Sequence, residues 1–96
     1  MIKMTFATGT PYMTAGVNAR LQKDRKFAEF VSKSWIRYIA RDWGDLSKND
    51  KLMNDNAVKN GDDRIVARYN YDGGNDIYII TEYDRSLTTI LFTDEY

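Results

Sequence analysis

Glu82, Asp84 and Arg85 are the densest group of chemically capable side chains in the sequence, inside the run Thr81-Glu82-Tyr83-Asp84-Arg85-Ser86. Either carboxylate offers a general base, and the arginine beside them offers a clamp for an anion. Catalysis of that kind also asks for a nucleophile–base pair, and the chain contains neither histidine nor cysteine. The same residues are what a turn between two strands would carry, with Asp84 bonding to its own backbone and Arg85 pairing nearby. A turn is therefore the stronger reading, and a small enzyme built on Glu82, Asp84 and Arg85 the weaker.

The missing histidine and cysteine also remove the usual ligands of zinc and any disulfide. Asp45, Asp50 and Asp55 are spaced by five, which does not match the alternate-residue ligands of a calcium loop. There is no phosphate-cradling glycine loop and no dinucleotide fingerprint. The residues thus indicate no metal site and no cofactor.

A second set is basic: Lys23, Lys26, Lys33, Arg37 and Arg41. It belongs to a marked polarity. Residues 1–41 hold eight Lys and Arg against two acids, whereas residues 42–96 hold six against twelve, for a net charge of zero. Cations along one helix face would contact phosphates and give salt-dependent binding. The sequence pI of 6.2 is below the footprint of a dedicated nucleic-acid binder, so a nucleic-acid module is an alternative and not the default. A third set is apolar: Tyr12 and Met13 stand between small hydroxyl residues in Gly9–Gly16, either as a lid on the core or as a binding loop.

These residues need a scaffold, and 96 residues make one domain, 1–96, with a modest core. Alternation in Lys3–Thr8 predicts a first strand, and the glycines and proline of Gly9–Gly16 predict a loop. Phe27, Phe30, Val31, Trp35, Tyr38 and Ile39 recur at three and four, one stripe of a helix over about Asp24–Asp42. Val17–Leu21 reads as a short helical turn and Gly44 as the cap ending the main helix. Ser47 is a good N-cap for a second helix ending at Asn60-Gly61. Three strands follow, Arg64–Tyr71, Ile77–Tyr83 and Leu87–Thr93, joined by Asp72-Gly73-Gly74-Asn75 and by Asp84–Ser86. The expected fold is α+β, in the order β-α-α-β-β-β, with an antiparallel sheet packed on one face by an αα-hairpin. No run of eighteen apolar residues spans a membrane and no secretory signal is visible, which fits a cytoplasmic domain.

Three segments together carry a resemblance: Thr5–Arg20 (TFATGTPYMTAGVNAR), Trp43–Ile65 (opening WGDL and closing NGDDRI) and Tyr78–Tyr96 (YIITEYDRSLTTILFTDEY). In them the chain resembles a family of small proteins carried by plasmids, prophages and other mobile elements. Thr93 stands where that family usually has a proline. The resemblance implies a genomic context and no activity. Small proteins of such elements often bind and block a host protein or nucleoprotein complex, as anti-CRISPR and anti-restriction inhibitors do. A non-catalytic inhibitor of that type is the expected function, docking through Tyr12, Met13, Arg37, Arg41, Asp84 and Arg85. Exposed sheet edges make a homodimer compatible with the same reading.

Overall fold

A computed structural model describes residues 4–72 and 75–96. The elements run β1 (Thr10–Met13), α1 (Ala15–Lys23), α2 (Arg25–Ile39), α3 (Lys48–Asn60), β2 (Ile65–Tyr69), β3 (Ile77–Thr81) and β4 (Leu87–Phe92), closed by a 3-10 turn at Thr93–Glu95. The class is α+β, as the residue pattern predicts.

The sheet order is β1-β4-β3-β2. β2, β3 and β4 form an antiparallel meander, with Tyr69 opposite Ile77 and Ile77 opposite Phe92. Alternation sends Ile65, Ala67, Tyr69, Ile77, Ile79, Ile90 and Phe92 to one face, where they meet Val17, Phe27, Val31, Tyr38 and Trp43 in the core. Burying a side chain such as Phe27 stabilises by roughly 2–3 kcal/mol. α1 packs on α2 and along β4, whereas α3 lies along β2.

The expected first strand is corrected. Lys3 and the turn glycines Gly73 and Gly74 lie outside the described residues, and residues 4–9 form no strand. Their bonds go to a helix end instead, with Thr5 donating its N–H (3.1 Å) and its hydroxyl (2.8 Å) to the Ile39 carbonyl. The strand is Thr10–Met13, within the expected loop. It runs parallel to β4, from Thr10 opposite Leu87 to Met13 opposite Ile90, so the sheet is mixed and not wholly antiparallel. Proline is tolerated here because β1 is an edge. Thr10 and Thr14 turn their N–H groups to Ser86 and Ile90 of the β4 side, so the intervening Pro11 position faces away, where no N–H is needed.

The helices also differ from expectation. Val17–Leu21 is part of a full nine-residue helix, α1, capped by the Thr14 hydroxyl. Asp24 alone joins it to α2 and accepts from the Phe27 N–H at 3.1 Å. The pair across the inner face is therefore α1–α2, and the order is β-α-α-α-β-β-β. α2 stops at Ile39 and not at Asp42, because Arg41 takes a left-handed φ of 66°. Asp42 then donates to the Arg37 carbonyl and Arg41 to the Tyr38 carbonyl, the paired pattern usually built on glycine. Gly44 is not that cap. It sits beside β2, bridged in parallel to Arg68. Ser47 caps α3 as expected, accepting from Asp50 at 3.1 Å.

The outer edge of β2 is closed. Asn54 of α3 donates its side-chain amide to the Val66 carbonyl (2.9 Å) and accepts the Val66 N–H (3.2 Å), in the manner of a neighbouring strand. Asp45 donates its N–H to the Arg68 carbonyl at 2.7 Å. Edge groups that would otherwise recruit another chain are thereby satisfied.

One polar line crosses the core. Tyr38, Thr81, Thr88 and Thr8 are all buried. The Thr88 hydroxyl donates to the Thr8 carbonyl (2.6 Å), so it must accept from Thr81 (2.7 Å), which in turn accepts from Tyr38 (2.6 Å). Each hydroxyl has one proton, so the end carbonyl fixes the direction of the whole line.

Candidate binding surfaces

The turn between β3 and β4 is a structural brace. Arg85 adopts a φ of 61° between β3 and β4. Its guanidinium donates to the carbonyls of Ala57 (2.8 Å), Asp63 (2.6 Å), Glu82 and Tyr83 (both 3.2 Å). It therefore ties the hairpin to the C-terminal end of α3, where carbonyls and the helix dipole favour a cation. Asp84 accepts the Ser86 N–H at 3.0 Å, and bonds from Ser86, its hydroxyl first, hold the Asp84 carboxyl below the usual range. That keeps it ionised and bound within its own turn. Arg85 is thus half-buried in this brace and Glu82 half-buried beside it, whereas Asp84 is exposed at the tip of the turn. Replacing Arg85 with methionine keeps the stem and removes the brace. The expected loss is about 1–2 kcal/mol in urea unfolding, with little change in m-value.

The basic set also divides. Arg37 grips Asp42 through both its Nε (2.7 Å) and a terminal nitrogen (3.1 Å), with its charge 5.2 Å from the Tyr69 ring centre. Arg41 bonds the Thr5 hydroxyl (3.1 Å) and carbonyl (2.8 Å). Both remain exposed while making these bonds within the fold. Lys23, Lys26 and Lys33 are exposed. Lys26 and Lys33 flank a shallow depression of about 280 Å³ with Phe30 and Tyr71, whose rings lie 4.7 Å apart, although Glu29 and Asp72 line it too.

The charge polarity persists in the fold. Among the described residues the ion pairs are Arg20–Asp24, Arg25–Glu29, Arg37–Asp42 and Arg68–Asp76, each between residues close in sequence. Apart from Arg37–Asp42, they join charges within the same half, so the helical half stays cationic and the α3–sheet half anionic.

No histidine is present to titrate near neutrality. The Arg37 guanidinium holds Asp42 below the usual carboxylate range, and backbone N–H bonds do the same for Asp24 (from Phe27) and Asp76 (from Tyr71). A lowered folded pKa gives stability that is present above the unfolded value near 3.8 and lost as pH falls through the folded one. Burial pushes Tyr38 and Tyr69 up, which gives stability present below the ordinary phenol value of 10.0 and lost as pH rises beyond it. The expected melting temperature is flat between about pH 5 and 9 and falls on both sides, as a calorimetric pH series would show.

Tyr12 and Met13 remain as binding candidates, 56% and 40% exposed, on opposite faces of β1. Tyr12 points to the side of the sheet away from α1 and α2. There Ile80 and Leu91 are buried yet stand outside the main core, beside Val66, Arg68, Tyr78, Leu87 and Thr89. Tyr96 packs edge-on against Tyr78 with ring centres 5.6 Å apart, and its hydroxyl accepts from Arg64. Between this sheet face and α3 lies a cleft of about 450 Å³. Its apolar lining is Leu46, Met53, Val66, Tyr78 and Tyr96, and Asp50, Asp63 and Arg64 carry its charge. Sequence reasoning missed this site, because only the β2–β3 register and the C-terminal turn bring Tyr78, Tyr96 and Arg64 together. The alternation placing Tyr78 opposite Ile77 and Ile79 was the one available signal.

Among the described residues no group of acids is arranged to hold a metal ion, and no helix is long and apolar enough to cross a membrane. No protein-family model matches the chain, and searches of curated proteins and of solved structures return no match.

Proposed function

We propose that this is a non-catalytic binding protein that docks on another macromolecule through the sheet face opposite α1 and α2. The observation that supports it is the set of tyrosines on and around that face, with Tyr12 and Tyr96 (64%) well exposed and Tyr83 (66%) at the adjoining turn. Tyrosines supply rigid, amphipathic contact area and are enriched at interfaces. The mobile-element resemblance adds the finer reading, an accessory protein that binds and inhibits a host protein or nucleoprotein complex, of anti-CRISPR or anti-restriction type. Of the expected set Tyr12, Met13, Arg37, Arg41, Asp84 and Arg85, this reading keeps Tyr12 and adds Tyr83 and Tyr96.

A second reading rests on Lys26 and Lys33 beside the Phe30–Tyr71 ring pair, an arrangement suited to phosphates and a stacked base. Capture from a bacterial host lysate separates the two, with and without nuclease. Retention of one complex after nuclease, abolished by Tyr12→Ala with Tyr83→Ala but not by Lys26→Glu with Lys33→Glu, supports the sheet-face reading. The opposite dependence, with loss on nuclease treatment, overturns it in favour of nucleic acid.

A further inference from the structure

The cleft between α3 and the sheet combines two kinds of surface. Leu46, Met53 and Val66 give it an apolar wall and floor, and Met53 is 58% exposed. Exposed apolar side chains grouped around a concavity mark a place that another surface covers. Asp50 and Asp63 stand on its rim, and neither has an ion-pair partner among the described residues. Asp50 belongs to the first turn of α3, and Asp63 lies in the connection from α3 to β2. Arg64, the one cation among the described residues of the lining, is drawn to the Tyr96 wall, where it donates to the Tyr96 hydroxyl and lies 5.7 Å from the ring centre. The described lining thus sets two carboxylates against one cation around an apolar and aromatic interior. The surrounding half of the molecule carries the excess of acids, which extends the same field.

We propose that this cleft receives a segment of a partner protein in which a lysine or arginine stands beside bulky apolar side chains. The apolar groups fill the space against Met53, Leu46 and Tyr78, and the cation reaches Asp50 and Asp63. Charge complementarity selects a basic over an acidic segment and speeds encounter, while the apolar contacts supply the affinity. This inference rests on the docking role of the sheet face and adds the chemistry of what docks there.

The test uses the full chain labelled with nitrogen-15 and two synthetic twelve-residue peptides, one alternating lysine and leucine, the other glutamate and leucine. The expected result is progressive amide shifts at Leu46, Met53, Val66 and Tyr78 with the basic peptide alone. Asp50→Asn with Asp63→Asn should weaken its apparent affinity about tenfold, and raising salt from 50 to 300 mM should weaken it further. Met53→Ser, an exposed change that removes the apolar contact without adding charge, should weaken it by a similar factor. Shifts at the cleft with the acidic peptide, or a basic peptide indifferent to the Asp50/Asp63 change, overturns the proposed chemistry and leaves the docking surface standing. Absence of cleft shifts with both peptides at millimolar concentration overturns the cleft as a docking site as well. Shifts confined to other acidic surfaces overturn it too.

Discussion

Gly44→Ala is expected to melt about 15 °C below the parent. Gly44 is buried with φ at 77°, a region L side chains rarely adopt. A Cβ there would lie 2.0 Å from the Arg68 carbonyl oxygen and 2.7 Å from the Tyr69 ring. The first of these is backbone, in the strand that the Trp43–Asp45 segment flanks, so the neighbour cannot swing aside. Conformational strain of about 1–2 kcal/mol and overpacking of similar size add to about 3 kcal/mol. For a domain of this size each kcal/mol moves the midpoint by roughly 4–8 °C. Gly61→Ala separates the two effects. Its φ is 68°, but nothing lies within 4 Å of the added Cβ, so it should cost about 1 kcal/mol. Thermal circular dichroism of both variants checks this. Equal losses would mean that the close approach to β2 contributes nothing.

Thr88→Val is the second large effect, and its size relative to Tyr38→Phe tests the direction of the buried hydroxyl line. Valine keeps the shape of threonine but leaves the Thr8 carbonyl without its donor and the Thr81 hydroxyl without its acceptor. Both groups are buried, and stranding them costs about 2–3 kcal/mol. Tyr38→Phe removes only the donor at the head of the line, and Thr81 still donates onward to Thr88. That loss should be about 1 kcal/mol. Urea unfolding of the two variants distinguishes the cases. A greater loss for Tyr38→Phe would show that the Thr88 hydroxyl does not deliver its proton to the Thr8 carbonyl and that the line is not ordered as described.

Local signals carried much of this fold. The alternation of Ile65, Ala67 and Tyr69, and of Ile77 and Ile79, sets the inner face directly, and the Ser47 cap and Asn60-Gly61 end bound α3. Where the reading failed, tertiary position decided. Pro11 argues for a loop in any local account, and only the edge location of β1 makes it acceptable in a strand. α1 buries Val17 alone, so it lacks the stripe that marks α2. Arg41 ends α2 in a conformation that glycine usually occupies, which no pattern announces. Arg85 serves carbonyls drawn from three separate parts of the chain, and such acceptors leave no mark in a sequence. The outer sheet face was half legible. Tyr12 was singled out from its unusual neighbours, while the cleft depends on Tyr96 folding back onto Tyr78.

The two edges of the sheet are not equivalent, and this bears on how copies of the chain behave when crowded. On the β2 side Asn54 and the Trp43–Asp45 segment occupy the positions of a further strand. On the β1 side, among the described residues, the outward backbone groups have no backbone partner, and Pro11 supplies no N–H. In polymer terms the molecule is monofunctional: it has one end able to propagate and one end already terminated. Strand-by-strand growth needs both ends reactive, because each added unit must offer a fresh site. Addition at β1 therefore halts after a single step, and the sheet cannot serve as the repeating unit of a fibre while α3 stays in place.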